Sequence, residues 1–464
     1  MPSFQERANN LFLAVLFLLL AAWQLNLHPA GMHSEHSYST FHIARNLIES
    51  GRSTFDGIDV TNGYHLLWMA VLSGLTFPLA QTIPVETALM GVAVLPLLFF
   101  AWMVPPIVFV QILAAVYLTG FGAEGVFAAL LFIALTWAVD TRQRLVVIAL
   151  TAAIVLTRVD FLICFAILAI WARLRDRPLF VPFLIGSGLG LVLYFAANWL
   201  IAGEFVSVAL LQKGVLQQAG SVSGFQERII ANIASLDNQI RFAAWIGAII
   251  ALGLAYVRPG VDRRRMLFNP VLHLALFAFI VVHVVLSELG DWYFAAPLIL
   301  AIYAAGRALP EIDWRAAPAI VFCLAIPVAA AGVQFFQAWE PAREYARVLD
   351  STKTVDGTVF AYEGAAYLAW RRYPSQVIDG KGVMNTATYA RNADDPQWLT
   401  TYLADKGVTQ FAGTPELGVC PKPGLCCGVG TLDPGADYAH GDPTRIDRIY
   451  VFKNGRPCPL RQTE

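Results

Sequence analysis

Residues 28–68 read HPAGMHSEHSYSTFHIARNLIESGRSTFDGIDVTNGYHLLW. Five of the chain's eight histidines lie in this stretch, His28, His33, His36, His42 and His65, with Glu35, Asp56 and Asp59 among them. The flanks are oily: residues 11–27 form an apolar run behind Arg7, and most of residues 64–335 are further apolar runs. Ionisable side chains crowded against membrane-soluble segments are costly and mark function. The stretch is therefore expected to lie on a membrane surface and to carry the chemistry.

Composition points the same way. The chain is 57% hydrophobic and 14% charged, with a mean hydropathy of +0.58, whereas soluble domains carry roughly 25% charged residues. A formal net charge of −1 offers no basic surface for nucleic acid, which is not expected as a partner. Polar residues gather near the end. The chain divides into a membrane body, residues 1–337, with a first outer loop at 28–63, and a small soluble α/β domain, residues 338–464.

Apolar stretches long enough to span a bilayer fall near residues 9–27, 64–83, 86–119, 124–139, 145–157, 160–172, 179–201, 241–257, 267–287, 292–306 and 317–336, about eleven crossings. The first lacks a small-residue cleavage site and reads as an uncleaved anchor. Three arginine clusters, at residues 140–144, 173–177 and 258–265, mark the cytoplasmic side. Counting from them puts the first loop and the C-terminal domain outside, the latter in the periplasm. The count requires residues 86–119 to cross an odd number of times despite Pro105-Pro106, which implies a broken or re-entrant helix.

Cys420, Cys426, Cys427 and Cys458 gather in the tail, where an oxidising compartment favours one or two disulfides. A zinc site competes, with His440 nearby, although paired CxxC spacing is lacking. The tail alternates strand-like runs at 358–362, 375–378, 409–412 and 448–452 with an amphipathic helix at 396–405.

The outward-facing polar groups are Glu35, His36, Arg45, Asp56, Asp59, Asn62 and His65 of the first loop, Glu124, the Arg158–Asp160 pair, Lys213 and Arg228. Carboxylates for base chemistry and cations for a phosphate, next to a bilayer, suit group transfer from a lipid-phosphate donor.

The order of an acidic position, an aromatic, I-A-R-N at 43–46 and STFDG-x-x-x-TNGYH-x-LW at 53–68 resembles the first periplasmic loop of GT-C fold membrane glycosyltransferases. These include bacterial relatives of the protein mannosyltransferases and aminoarabinose transferases. GAEG at 122–125, LTRVD at 156–160, SVSGF at 221–225, WYF at 292–294 and VIDGKGVMN at 377–385 are similar to further motifs of that family. The resemblance implies a polytopic α-helical enzyme of the bacterial inner membrane. A polyprenyl-phosphate sugar is its donor, its acceptor belongs to the cell envelope, and transfer of the hexosyl or pentosyl group inverts the sugar carbon. It implies that a first-loop carboxylate acts as base, and some members use a divalent cation (Mg or Mn).

Where that family carries Asp-Asp, this chain has Glu35-His36. Either can serve as the base, and His33, Glu35 and His36 together are also a candidate metal set. Asp56, Asp59, Asn62, His65, Glu124, Arg158, Asp160, Lys213 and Arg228 are candidates for substrate binding. Plainer readings stand beside these. Asn62-Gly63 also suits a simple turn, Arg158 with Asp160 a structural bridge, and Lys213, Arg228 and Arg241 surface charges. The alternative for the whole chain is a non-catalytic scaffold or transporter of the same fold. A transporter, however, is expected to show related halves and midplane charges, and neither is evident.

Overall fold

The computed structural model describes residues 3–27, 35–122, 124–212, 229–230, 232–256, 268–286, 290–308, 322–323, 325–334, 358–361, 365–371, 376–380, 382, 384–392, 396–413 and 450–453. His28, His33, Lys213, Arg228 and the four tail cysteines lie outside these residues, so neither the disulfides nor the zinc alternative is described. Cys164 and Cys323 are free thiols.

Helices dominate: α1 (Phe4–Leu27), α2 (Glu35–Ser50), α3 (Leu66–Leu79), α4 (Val85–Met103), α5 (Pro106–Thr119), α6 (Gly125–Asp140), α7 (Arg144–Thr157), α8 (Leu162–Arg175), α9 (Arg177–Ala202) and α10 (Val208–Gln212). They continue with α11 (Leu236–Tyr256), α12 (Phe268–Leu286) and α13 (Trp292–Ala308), and with α14 (Ala325–Gln334). By length and hydropathy α4 and α9 are each able to cross a bilayer. Large apolar side chains face outward on both, among them Leu95, Phe99 and Trp102 on α4 and Val181, Leu184, Val192 and Leu200 on α9. Such a rim is tolerated in lipid and not in water.

Two contacts orient the helices near the first loop. The Arg45 guanidinium of α2 pairs with Glu86 at the start of α4 (2.8 Å). At the other end of α4, Asn10 of α1 donates to the carbonyls of Ala101 and Val104 (both 2.8 Å). Thus α4 begins at the first-loop side and ends beside the N-terminal half of α1. Val104 and Pro105 then adopt extended backbone, and α5 starts with Pro at its first turn, where a missing N–H costs nothing. Residues 85–119 therefore form two helices joined at Val104-Pro105, the break expected there, and α5 matches α3 in length at 14 residues.

Close helix packing comes from small residues. A Cβ on Gly186 would stand 2.6 Å from Thr151 Cβ, and one on Gly190 would stand 2.8 Å from Val155 Cβ. These two glycines, four apart on α9, let it approach α7 as small-xxx-small pairs do in membranes.

In the tail, strands β1 (Thr358–Ala361), β2 (Val377–Asp379), β3 (Val408–Gly413) and β4 (Tyr450–Lys453) form one sheet in the order β2-β1-β3-β4. β1 is parallel to β2 and β3, and β4 runs antiparallel to β3. Helices α15 (Ala365–Arg371), α16 (Ala387–Asn392) and α17 (Pro396–Asp405) connect them. This unit docks on the first loop: Trp370 of α15 packs on Phe41 of α2 (ring centroids 6.1 Å apart) and under the Arg45 guanidinium (5.7 Å).

Candidate active site

Three helix junctions meet beside the start of α2. The first is Gly122, at φ +89°, with the Phe41 ring 2.4 Å from where a Cβ would be. Only glycine fits that turn. Its carbonyl accepts from Trp68 Nε1 of α3 (3.0 Å), and the turn delivers Glu124 to the N-cap of α6. The second is Arg158, whose extended backbone ends α7 and opens a 3₁₀ turn, Val159–Phe161, that carries Asp160. The third is the last turn of α12 with the first of α13, which supplies His283, Trp292 and Tyr293.

Glu124 is fully buried and has three cationic or polar partners: His36 Nε2 at 3.0 Å, His65 Nε2 at 3.3 Å and an Arg158 terminal nitrogen at 2.9 Å. Arg158 turns its other nitrogens to Asp160 in a fork (3.1 and 2.6 Å), and Asp160 also faces His283 Nε2 (3.1 Å). The Tyr293 ring lies under the guanidinium at 4.5 Å. Burial alone would raise Glu124, but His65, His36 and Arg158 outweigh it and hold the carboxyl well below its ordinary value. Burial likewise pushes the His65 imidazole down to about 3, so this ring is neutral at physiological pH.

The network borders a cavity of about 250 Å³. His36, His65, Arg158, Asp160, His283, Trp292 and Tyr293 line one wall, and Tyr64, Tyr194, Ser207 and Met384 line others. His36 packs on Trp292 at a tilt of 34°, with centroids 5.1 Å apart.

Five of the residues singled out from sequence thus come together: His36, His65, Glu124, Arg158 and Asp160. Three others do not line this cavity. Asp56 accepts from the Ile58 and Asp59 amides (both 2.8 Å), closing its own turn. Asp59 pairs with Lys406 (2.6 Å) and lies 3.4 Å from the Tyr402 hydroxyl, tying the loop to the tail. Asn62 donates to Asn198 (2.9 Å) and accepts from the Val208 amide (2.9 Å), a buried strut. Glu35 begins α2, and its side chain lies outside the described residues.

The metal set anticipated at His33, Glu35 and His36 lies partly outside the described residues, and among the described ones His36, His65 and Glu124 form a candidate ligand group. Their ligand atoms lie within 4.8 Å of one another. His283 escaped the sequence reading, although a histidine inside an apolar helix was itself a signal. Met384 had none, because it reaches the cavity from the distant tail.

One cation stands apart. Arg241 is buried (8% exposed). It donates to the Leu118 carbonyl (2.9 Å) and to Asn238 Oδ1 (3.3 Å), and among the described residues no carboxylate pairs with it. Burial raises the carboxyl of Asp291, next to Trp292, and Arg241 and His36 offset only part of that rise.

No protein-family model matches the chain, and no curated protein does. Among solved structures it is similar to ArnT from Cupriavidus metallidurans bound to undecaprenyl phosphate, with a TM-score of 0.50 and 14% identity over 95% of this chain and 97% of that one. It is also similar to the same protein in the apo state, with a TM-score of 0.47 and 14% identity over 94% and 97%. At this identity the likeness is one of fold, and it extends over nearly the whole chain.

Proposed function

We propose that the chain is a membrane glycosyltransferase that moves a sugar from a polyprenyl-phosphate donor to a cell-envelope acceptor at the outer face of the inner membrane. The observation that carries this reading is the pairing of His36 with a buried, ionised Glu124 on the wall of a cavity. A carboxylate accepts only, so the Nε2 proton of His36 is turned to Glu124. Nδ1 is left to take a proton, as in a carboxylate-oriented histidine base. In the transfer the acceptor's hydroxyl or amine proton passes to His36. Its oxygen or nitrogen forms the new bond at the sugar carbon from the face opposite the phosphate, and the carbon–oxygen bond to the phosphate breaks with inversion. Polyprenyl phosphate leaves with the electron pair. His36 takes the role in preference to Glu35 because its partner is on hand. The undecaprenyl phosphate bound to ArnT supports the donor class.

Arg158 is committed to Glu124 and Asp160, so the positive charge for the phosphate is assigned to Arg241, which lacks such a partner. Asp291 acts on Arg241 without pairing with it among the described residues; a buried cation so weakly compensated is costly, and a bound phosphate removes that cost.

His36, His65 and Glu124 are also the residues that would hold a divalent cation. Two imidazoles and one carboxylate suit manganese or zinc better than magnesium, which prefers oxygen ligands. Such an ion would supply Lewis-acid charge next to the phosphate.

The test is transfer from a panel of radiolabelled undecaprenyl-phosphate sugars by purified protein in liposomes, for wild type, His36→Asn and Glu35→Gln. Wild-type turnover that falls by about 10² or more in His36→Asn and little in Glu35→Gln is the expected result. The opposite pattern moves the base to Glu35. No turnover of any donor by folded wild type with an envelope extract present favours the non-catalytic scaffold.

A further inference from the structure

Met384 enters the active-site cavity from the tail, whereas the rest of the lining belongs to the membrane body and the first loop. Its neighbours fix where it stands. Its amide donates to Asp379 Oδ2 (2.8 Å) at the end of β2, and the Tyr389 hydroxyl of α16 donates to the Gly380 carbonyl (2.8 Å). Gly382 turns at φ +77°, and a Cβ there would stand 2.7 Å from the Tyr389 ring, so the turn requires glycine.

The same short loop is anchored to the membrane body on two sides. The Tyr402 hydroxyl is within reach of Asn385 Oδ1 (3.1 Å) and of Asp59 Oδ2 in the first loop (3.4 Å), and Asp59 pairs with Lys406 (2.6 Å). Arg391 of α16 pairs with Glu204, just after α9 (2.6 Å). Across the lining the chemistry is uneven. His36, His65, Arg158, Asp160 and His283 make one wall polar, where hydroxyl groups of a ligand find partners. The Met384 thioether donates no hydrogen bond and accepts only weakly. It offers bulk and dispersion contact instead.

We propose that Met384 is a specificity-determining residue, which packs on the transferred sugar and limits the bulk that the pocket admits. One methylene in such a contact discriminates by about 10–200-fold, so the size of this side chain is read in the choice among donors. The Asp59–Lys406 and Arg391–Glu204 pairs hold the wall against the body of the protein. The inference rests on the transfer reading and adds to it the group that selects the sugar.

Two readouts test it on the full chain in liposomes. Oxidation of Met384 by hydrogen peroxide, followed by mass spectrometry, needs binding but no turnover. Undecaprenyl-phosphate sugars are expected to slow it about tenfold relative to undecaprenyl phosphate, and equal rates with every donor would overturn the proposal. In transfer, Met384→Ala is expected to raise kcat/KM for bulky sugars relative to small ones about tenfold. Met384→Leu, of similar volume, should restore the wild-type ratio. A ratio unmoved in Met384→Ala, or moved as far in Met384→Leu, would also overturn it. The two readings fail separately: protection of Met384 without turnover of any donor keeps the sugar contact and removes the reaction, whereas turnover with neither protection nor a changed ratio removes the role of Met384 alone.

Discussion

The molecule has two cavities of similar size and opposite design. In the pocket beside α2, Glu124 and Arg158 are buried and Asp160 is half-buried, and each is ion-paired with another side chain. In a groove of about 330 Å³ between α11 and α12, Trp245 and His273 are buried as well, and Trp245 Nε1 and His273 Nδ1 have no hydrogen-bond partner among the described residues. Enclosed charges persist only where they are mutually satisfied, because an unpaired ion in low dielectric costs more than its removal. A neutral orphan is cheaper. The pocket therefore closes its network within the protein, whereas the groove leaves two nitrogens open.

The largest expected break in this contrast is Arg158→Met. It strands Glu124 and Asp160 together, so a stability loss of about 3–5 kcal/mol is expected in denaturant titration. A loss under about 1 kcal/mol would mean that the network is not mutually dependent. Next come His36→Asn and Glu124→Gln, each expected to lower transfer by about 10² or more, since one removes the base and the other its orientation. Steady-state rates with a saturating donor are the measure.

The helix that carries His36 supplies a pH test. His42 is 3% exposed, and burial, opposed by the Phe55 carbonyl, lowers its imidazole from 6.5 to about 4. The folded chain refuses a proton that the unfolded chain accepts below 6.5. The stabilisation is thus complete above that pH and is lost as pH falls toward 4. About 2 kcal/mol should disappear between pH 7 and pH 5, and His42→Gln should flatten that slope; an unchanged slope would exclude His42 as its source.

Arg241 lies between the two cases, buried like Arg158 but with no carboxylate paired to it among the described residues. Arg241→Gln is expected to raise the donor KM about tenfold with little loss of Tm, and a collapse of Tm instead would make it a structural strut. The smallest effect belongs to the groove. Trp245→Phe in lipid-free detergent should change stability by under about 0.5 kcal/mol, because it removes an atom that had no partner.

Periodicity and composition reached most of the helices because each is an apolar run of spanning or near-spanning length, and α8, α9 and α12 fall within a few residues of their expected bounds. The four tail strands and the helix at Pro396–Asp405 were also legible, since their patterns are local. The partners of the two ends of α4 were not, and only the Arg45–Glu86 and Asn10–Ala101 contacts reveal them.

The sequence by itself determined that the chain is membrane-soluble, that its ionisable groups cluster at helix ends, and that His36, Glu124, Arg158 and Asp160 belong among the candidates. These are properties of residue type and spacing, which burial does not rearrange. The tertiary structure alone decided which of them meet. It joined Glu124 to both His36 and His65, set Asp56, Asp59 and Asn62 to holding the loop, and left Arg241 with no carboxylate paired to it among the described residues. Distances between helix ends are fixed by how the helices pack, through glycines such as Gly122 and Gly190. No local pattern encodes those approaches, which arise between segments far apart in the chain.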